Sequence, residues 1–434
     1  MRRSSTLDRR SALKLVGASA AIAIGCPAIA QNQPLRLGIL AAKAGTAAYI
    51  GSNGLRAVEW AARRINEGGG IAGRQVELVV DEETNPKDTL DRARRLALQE
   101  KVDAIHGVYS TGVSVAIAPA LEEMRVLTQF WDGTTQDGVR ETMPNPKYVF
   151  RSTDNECEAV MASLLAVKQW KGQFRRIAAI SPDYSYGRNI WAAFQAIMEK
   201  FGIPVQVVGE HWTKFGQLEF TANVAALKSS KPDLIYCVLG NTDLPIFMRA
   251  AHDAGLTESA KFMLPQAGHE WGQLKKTFMP EGSLICANTF YFDLATQPQA
   301  TPLQQDFVNY YRDRYQDLPH WECDRSYFCI QLYKAGVEKA YLSAGRWPAT
   351  EDVAHAMEGH EIESLGGRAR MRADHIPDQT FHQGFSTNDN NYDVPTMRRI
   401  YSAFSDQLQK PPGAEFWSWL ADAKFPLLNG TGKD

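Results

Sequence analysis

Short apolar segments alternate with longer segments of helical periodicity along the first part of the chain. Residues 35–40 are almost continuously apolar, which is typical of a strand buried on both faces. Apolar residues at helical spacing follow, and they end at three consecutive glycines, 68–70, which favour a helix terminus. The same alternation predicts further strands at 76–80, 104–108 and 126–130. Strands that alternate with helices indicate a doubly wound parallel sheet.

The alternation starts again after the polar residues 151–154. We predict a second set of strands, separated by helices, at 176–180, 205–208, 233–239, 261–264 and 283–287. Two α/β lobes of similar build are therefore expected. Helices are predicted at 302–315 and 322–342, whereas the polar, turn-rich residues from 378 onward predict loops with one or two short strands.

The first 30 residues have the pattern of a cleaved export signal. Arg9-Arg10-Ser11-Ala12-Leu13-Lys14 resembles the twin-arginine motif, an apolar segment at 15–24 follows, and Ala28-Ile29-Ala30 is a small-residue cleavage site. The apolar segment is too short to anchor the chain across a bilayer. We therefore expect a protein exported to the periplasm, and Cys26 leaves lipidation open as an alternative.

Composition narrows the classes of partner. The 434 residues carry a formal net charge of -2 and are 44% hydrophobic, so neither nucleic acid nor an acidic membrane surface is expected as a partner. Beyond the signal, an odd number of cysteines remains: Cys157, Cys237, Cys286, Cys323 and Cys329. The last two are six residues apart on one predicted helix and cannot bridge, so buried, unreactive thiols are expected.

Four motif-like segments lack part of the chemistry that they suggest. The G-x-G-x-x-G match at 68–73 follows a helix and precedes a strand, the reverse of a dinucleotide site. His269-Glu270 and His360-Glu361 lack the second histidine of a zinc helix, and 389–393 lacks the glycine and final glutamate of a calcium loop. We therefore expect no cofactor, no metal and no catalytic set.

Polar side chains follow the predicted strands at the ends where parallel sheets bind ligands. Tyr109, Ser110 and Thr111 follow one strand of the first lobe, and Asp132 and Thr134 follow the next. These five residues predict half of a small-molecule site.

The second lobe offers a comparable set after its own strands. Tyr184 and Tyr186 follow one strand, and their phenol rings would give flat apolar walls, although a surface turn is the alternative. Asn241 and Asp243 follow another strand, where capping the next helix is the alternative role.

An ordered series of segments, which includes Gly69-Gly70-Ile71-Ala72-Gly73-Arg74 and Asp183-Tyr184-Ser185-Tyr186-Gly187, spans the chain after residue 30. The other segments are 44–51, 54–66, 81–87, 220–235, 250–256 and 372–375. In this order they resemble the type I periplasmic substrate-binding proteins of the leucine/isoleucine/valine-binding family. The resemblance implies an α/β fold of two Rossmann-like lobes with parallel sheets, joined by a three-crossover hinge. It also implies delivery of a solute to an inner-membrane ABC permease and its ATPase.

The resemblance also assigns bounds and roles. Lobe 1 would comprise 31–152 and 288–365, and lobe 2 would comprise 153–287 and 366–434. Ser110 and Thr111 would bind the ligand's carboxylate, helped by the backbone at Asp132 and by Thr134. The remaining residues of the predicted ligand set are Tyr49, Tyr109, Tyr184, Tyr186, Asn241, Asp243 and Gln266.

Two positions depart from the family's pattern. Gln266 stands where amino-acid binders place an acid for the ligand's ammonium group. Asp132 stands where a small residue is usual, and it would repel a ligand carboxylate unless it is protonated or paired. Within the predicted amino-acid, amide or aromatic-acid class, these departures argue against an ordinary branched-chain amino acid and favour an amide, urea-like or aromatic ligand.

Three functions remain open at this point. The first is a monomeric, non-enzymatic binding component of an ABC importer. The second is a periplasmic sensing subunit that reports the same kind of solute to a receptor. The third is an α/β enzyme that uses Asp183 or His269, although the fold by itself does not establish catalysis.

Overall fold

The computed structural model describes residues 33–132, 138, 142–154 and 156–429. The predicted signal at 1–30 and the predicted ligand residue Thr134 lie outside these residues.

The first sheet contains five parallel strands in the order β2-β1-β3-β4-β5. Its strands are β1 Leu35–Ala41, β2 Val76–Glu82, β3 Ala104–Gly107, β4 Thr128–Phe130 and β5 Val149–Arg151. Three helices connect the early strands: α1 Ala48–Glu67, α2 Pro86–Leu98 and α3 Thr111–Glu123. The apolar side chains of β1 are buried on both faces, which explains their continuous pattern in the sequence.

The second sheet begins with five parallel strands in the order β7-β6-β8-β9-β10. They are β6 Arg176–Pro182, β7 Gln206–Thr213, β8 Leu234–Cys237, β9 Lys261–Leu264 and β10 Leu284–Asn288. The helices are α4 Cys157–Trp170, α5 Ser185–Lys200, α6 Thr221–Ser230 and α7 Asp243–Asp253. The two parallel sheets confirm the predicted α/β class.

The chain then returns to the first sheet and crosses back again. Helices α8 Pro302–Tyr315, α9 Trp321–Ala344 and α10 Thr350–Met357 follow the second sheet. Trp60 of α1 packs against Phe307 and Tyr327, with ring centroids 5.0 and 5.7 Å apart, so α8 and α9 belong with the first lobe. The chain therefore passes between the lobes three times.

The last strands extend the second sheet in antiparallel pairing. They are β11 Glu361–Ser364, β12 Gly367–Met371, β13 Pro377–Thr387 and β14 Thr396–Phe404, and α11 Phe416–Asp422 follows. The second sheet is therefore mixed rather than purely parallel. The domain bounds remain a prediction, and the boundary predicted after residue 365 falls inside the turn that joins β11 to β12.

The short strands predicted in the tail, near 381–385 and 399–404, lie inside observed strands, but the prediction made them too short. Strands β13 and β14 have 11 and 9 residues, and nearly all of β13 is buried. Buried polar side chains interrupt the apolar pattern by which a buried strand is predicted, and several of them have partners inside the protein. Gln383, for example, is fully buried and donates a hydrogen bond to the backbone oxygen of Glu158 at 2.6 Å.

The five cysteines in the described part of the chain are free and buried, as predicted. Burial raises the pKa of the Cys237 thiol to about 12, so the nucleophilic thiolate is scarce at neutral pH. Within the same residues, no helix combines the length and apolarity that are needed to cross a membrane.

Candidate ligand-binding site

A cavity of about 480 Å³ lies between the two lobes, at the carboxyl ends of their parallel strands. Both lobes contribute to its wall, which is the position expected for a ligand in open α/β sheets. Its principal lining residues are Gly45, Thr46, Glu83, Tyr109, Ser110, Thr111, Asp132, Glu158, Tyr184, Tyr186, Phe215, Gln266, His269 and Arg325.

Unusual backbone geometry marks the strand ends beside this cavity. Val108, Asn241 and Asn288 have φ values of 69°, 54° and 57°, in the left-handed region. Valine rarely adopts this region because its branched side chain clashes with the backbone. The turn after β3 thus aims Tyr109, Ser110 and Thr111 into the cavity at a cost in backbone strain.

Seven of the predicted ligand residues line the cavity together. Tyr109, Ser110, Thr111 and Asp132 come from the first lobe, and Tyr184, Tyr186 and Gln266 come from the second. The Tyr184 ring lies 5.9 Å from that of Tyr186 and 6.2 Å from that of Phe215. Their direct contact with a ligand remains a prediction.

Three other predicted residues have structural partners and do not line the cavity. The Tyr49 hydroxyl donates to Asp317 Oδ1 at 3.2 Å. Asp243 is the first residue of α7 and accepts the backbone N–H of Gly216 at 3.0 Å, which fixes the loop that carries Phe215. Asn241 occupies the buried turn between β8 and α7.

Arg325 is a site residue that sequence reasoning missed. It lies in α9, is 1% exposed, and its Nη1 forms an ion pair with Asp132 Oδ1 at 2.7 Å. Its Nη2 donates to Asn288 Oδ1 at 2.8 Å, and its guanidinium carbon lies 3.7 Å from the ring centroid of Trp321. Asp132 is thus paired with a cation, which is one of the two conditions, protonation or pairing, under which it would not repel a ligand carboxylate. A possible signal was the charged cluster Glu322, Asp324 and Arg325 in a mainly apolar helix.

Glu158 is a second missed residue, at the start of α4. The Tyr186 hydroxyl and the Asn288 side-chain amide donate to its carboxylate, and Gln266 Nε2 lies 3.3 Å from Oε1. Burial raises the pKa of Glu158 to about 7, while Arg325 and the Tyr186 hydroxyl oppose that rise. Glu158 therefore supplies an acidic group beside Gln266, the position at which amino-acid binders carry an acid.

Glu83 is a third missed residue, directly after β2. Its carboxylate accepts the backbone N–H of Tyr109 at 2.7 Å and that of Ser110 at 2.8 Å. Burial raises the pKa of Glu83 to about 7, and the two N–H groups oppose that rise by stabilising the ionised form.

The described cavity lining also contains one histidine, His269. Burial, with smaller effects of His320 and Arg325, lowers the pKa of His269 well below its usual range, so its imidazole is neutral. The part of the chain that the structure describes contains no group of histidine, cysteine or acidic side chains able to hold a metal ion.

Residues 34–384 match the family model described as periplasmic binding protein. A Leu/Ile/Val-binding protein homolog 3 of Brucella melitensis is 29% identical over 359 residues, which are 82% of this chain and 92% of the relative.

Solved structures of solute-binding proteins share the fold. One, from an ABC transporter of Rhodopseudomonas palustris in complex with 3,4-dihydroxybenzoic acid, has a TM-score of 0.72 and 20% identity, covering 88% of this chain and 99% of that one. A branched-chain amino acid transporter substrate-binding protein of Streptococcus pneumoniae in complex with isoleucine has a TM-score of 0.69 and 15% identity, covering 86% and 100%. The family match, the two-lobed fold and the cavity between the lobes agree, and the chain belongs to the periplasmic binding protein family.

Proposed function

We propose that this protein captures a small, partly apolar solute between its lobes and delivers it to an ABC permease. The observation that carries the proposal is the interlobe cavity, which combines aromatic walls with a few buried polar groups. This combination is the usual chemistry of a small-molecule site, because the rings supply apolar contact and the polar groups fix orientation.

The cavity limits the size of the solute. A volume of about 480 Å³ suits a molecule of amino-acid or aromatic-acid size. The relatives support the same range, since one is bound to 3,4-dihydroxybenzoic acid and another to isoleucine. We place the solute in the amino-acid, amide or aromatic-acid class on this basis.

Export by the twin-arginine pathway, a monomeric state and a partner ATPase complete the proposal. The Arg9-Arg10 motif supports the route, because a pair of arginines is the signal of this pathway. The pathway carries proteins that fold before translocation, and such a protein needs no periplasmic disulfide formation. The five buried, unpaired cysteines therefore support the same route.

Ligand-dependent stabilisation tests the capture function. A panel of amines, amino acids, amides and aromatic acids should include a compound that adds about 2.7 kcal/mol to the unfolding free energy at a hundredfold excess over its Kd. Differential scanning fluorimetry finds the compound, and mass spectrometry should recover it unchanged, as expected for a binder rather than an enzyme.

Tyr184→Ala should reduce the affinity for that compound about tenfold or more, because one aromatic wall of the cavity is lost. Tyr392→Ala is the matched control, since Tyr392 hydrogen-bonds to Asp293 outside the cavity. Equal losses in both variants, or no stabilisation by any compound of the panel, would reject the proposed site.

A further inference from the structure

The described lining of the cavity carries more negative than positive charge. Glu83, Asp132 and Glu158 provide three carboxylates, whereas Arg325 provides one guanidinium. His269 adds no compensating charge because its imidazole is neutral. When all three carboxylates are ionised, these groups have a net charge of about -2, and a buried excess of this kind favours a positively charged partner.

The positive charge of Arg325 is already committed. Its guanidinium pairs with Asp132 at 2.7 Å, donates to Asn288 at 2.8 Å and stacks on Trp321. A ligand carboxylate would have to compete with Asp132 for this cation inside a buried network. Such competition is costly because it leaves one of the two acids without its partner.

Glu83 occupies the backbone donors that would otherwise suit an anion. The N–H groups of Tyr109 and Ser110 lie at the end of β3 and the start of α3, where an anionic ligand would be stabilised. The Tyr109 N–H donates to Oε2 of Glu83, and the Ser110 N–H donates to Oε1. The protein's own carboxylate thus fills a place in which a ligand's carboxylate could bind.

The remaining walls suit a cation. Tyr109, Tyr184, Tyr186 and Phe215 place four aromatic rings around one cavity, and Glu158 lies among them beside Tyr186. Aromatic faces attract organic cations, and an adjacent carboxylate adds direct charge pairing.

We propose that the cavity selects an organic cation without a carboxylate, an amine or amidine with an apolar body. The cationic group pairs with Glu158, whose carboxylate accepts three hydrogen bonds and has room for about one more. The apolar body packs among Tyr109, Tyr184 and Phe215. This inference rests on the proposed capture function and replaces the amino-acid, amide or aromatic-acid class with an amine or amidine.

Matched pairs of small molecules test the inference on the wild-type protein. Isothermal titration at pH 8 compares isoamylamine with leucine, which adds only a carboxylate, and benzylamine with benzoate, in which a carboxylate replaces the aminomethyl group. We expect each amine to bind at least about tenfold more tightly than its partner.

The possible failures are distinguishable. If leucine or benzoate binds as well as its amine partner or better, the charge inference is wrong and the capture function stands. If none of the four compounds and no member of the wider panel binds at millimolar concentration, both proposals are rejected.

Glu83→Ala provides a gain-of-binding test. Removing this carboxylate frees two backbone N–H groups, so benzoate should bind about tenfold more tightly than it does to wild type. Glu82→Ala, which removes the neighbouring carboxylate outside the cavity lining, should leave benzoate binding unchanged. Circular dichroism confirms that each variant is folded, and a folded Glu83→Ala protein with unimproved benzoate binding would contradict the inference.

Discussion

Replacing Arg325 with Met should lower the free energy of unfolding by about 3–5 kcal/mol, the range for removing one partner of a buried ion pair. Met keeps most of the side-chain volume but leaves Asp132 without its cation and the Asn288 side-chain oxygen without its donor. Both groups are largely buried, so water replaces the lost contacts only in part. Urea denaturation followed by tryptophan fluorescence measures the change.

A double substitution separates lost charge pairing from lost packing. Asp132→Asn combined with Arg325→Met removes both charges, so it should recover part of the stability that the single Arg325 variant loses. Arg64→Met is the matched control, because Arg64 forms a partly exposed pair with Asp306 that should contribute about 1 kcal/mol or less. If the Arg325 variant is no less stable than this control, the pair is not a structural element of the site.

Glu158→Gln should become more stable relative to wild type as the pH rises from 5 to 8, by about 2–3 kcal/mol over that interval. Burial, partly opposed by Arg325, raises the pKa of Glu158 from 4.5 to about 7. A group whose pKa is raised on folding contributes stability that is fully present below pH 4.5 and is lost as the pH rises through about 7. Gln cannot ionise, so it escapes this loss.

The comparison between variant and wild type is essential because buried histidines act in the opposite direction. Burial lowers the pKa of His106 and His320 to about 3 and that of His382 to about 4. Through these histidines the free energy of unfolding of the protein decreases as the pH falls. Their contribution is common to both proteins and cancels in the difference. Glu338→Gln, on a helix surface, is the control, and a difference that stays constant with pH would show that Glu158 keeps an ordinary pKa.

The sequence predicts the parallel part of the fold well and the antiparallel part poorly. Strands β1 and β9 lie within one residue of their predicted bounds, since buried parallel strands are continuously apolar. Strands β5, β11 and β12 and helix α10 were missed because they are short. Strand β13 is buried but contains many polar residues, so it lacks the continuous apolar pattern on which the prediction of a buried strand relied.

Among the residues of the cavity, those that follow a strand could be predicted from the local sequence, whereas those on helices depend on the tertiary fold. Tyr109 and Tyr184 were predicted because a residue directly after a parallel strand is placed by that strand alone. Glu158 and Arg325 lie on helices, and no local pattern indicates which face of a helix meets the other lobe. Only the three passages of the chain between the lobes bring residues 83, 158 and 325 to one cavity.

The described part of the chain has no accessible thiol, so a single cysteine introduced on the surface could be labelled selectively with a fluorescent dye. All five cysteines there are buried, and Cys26 is lost from a protein expressed from residue 31. Phe215 lines the cavity and is 52% exposed, so Phe215→Cys would offer a fluorophore one preferred attachment point. A dye attached there should change its fluorescence when a ligand fills the cavity, in a protein whose affinity is measured again after the Phe215 ring is removed.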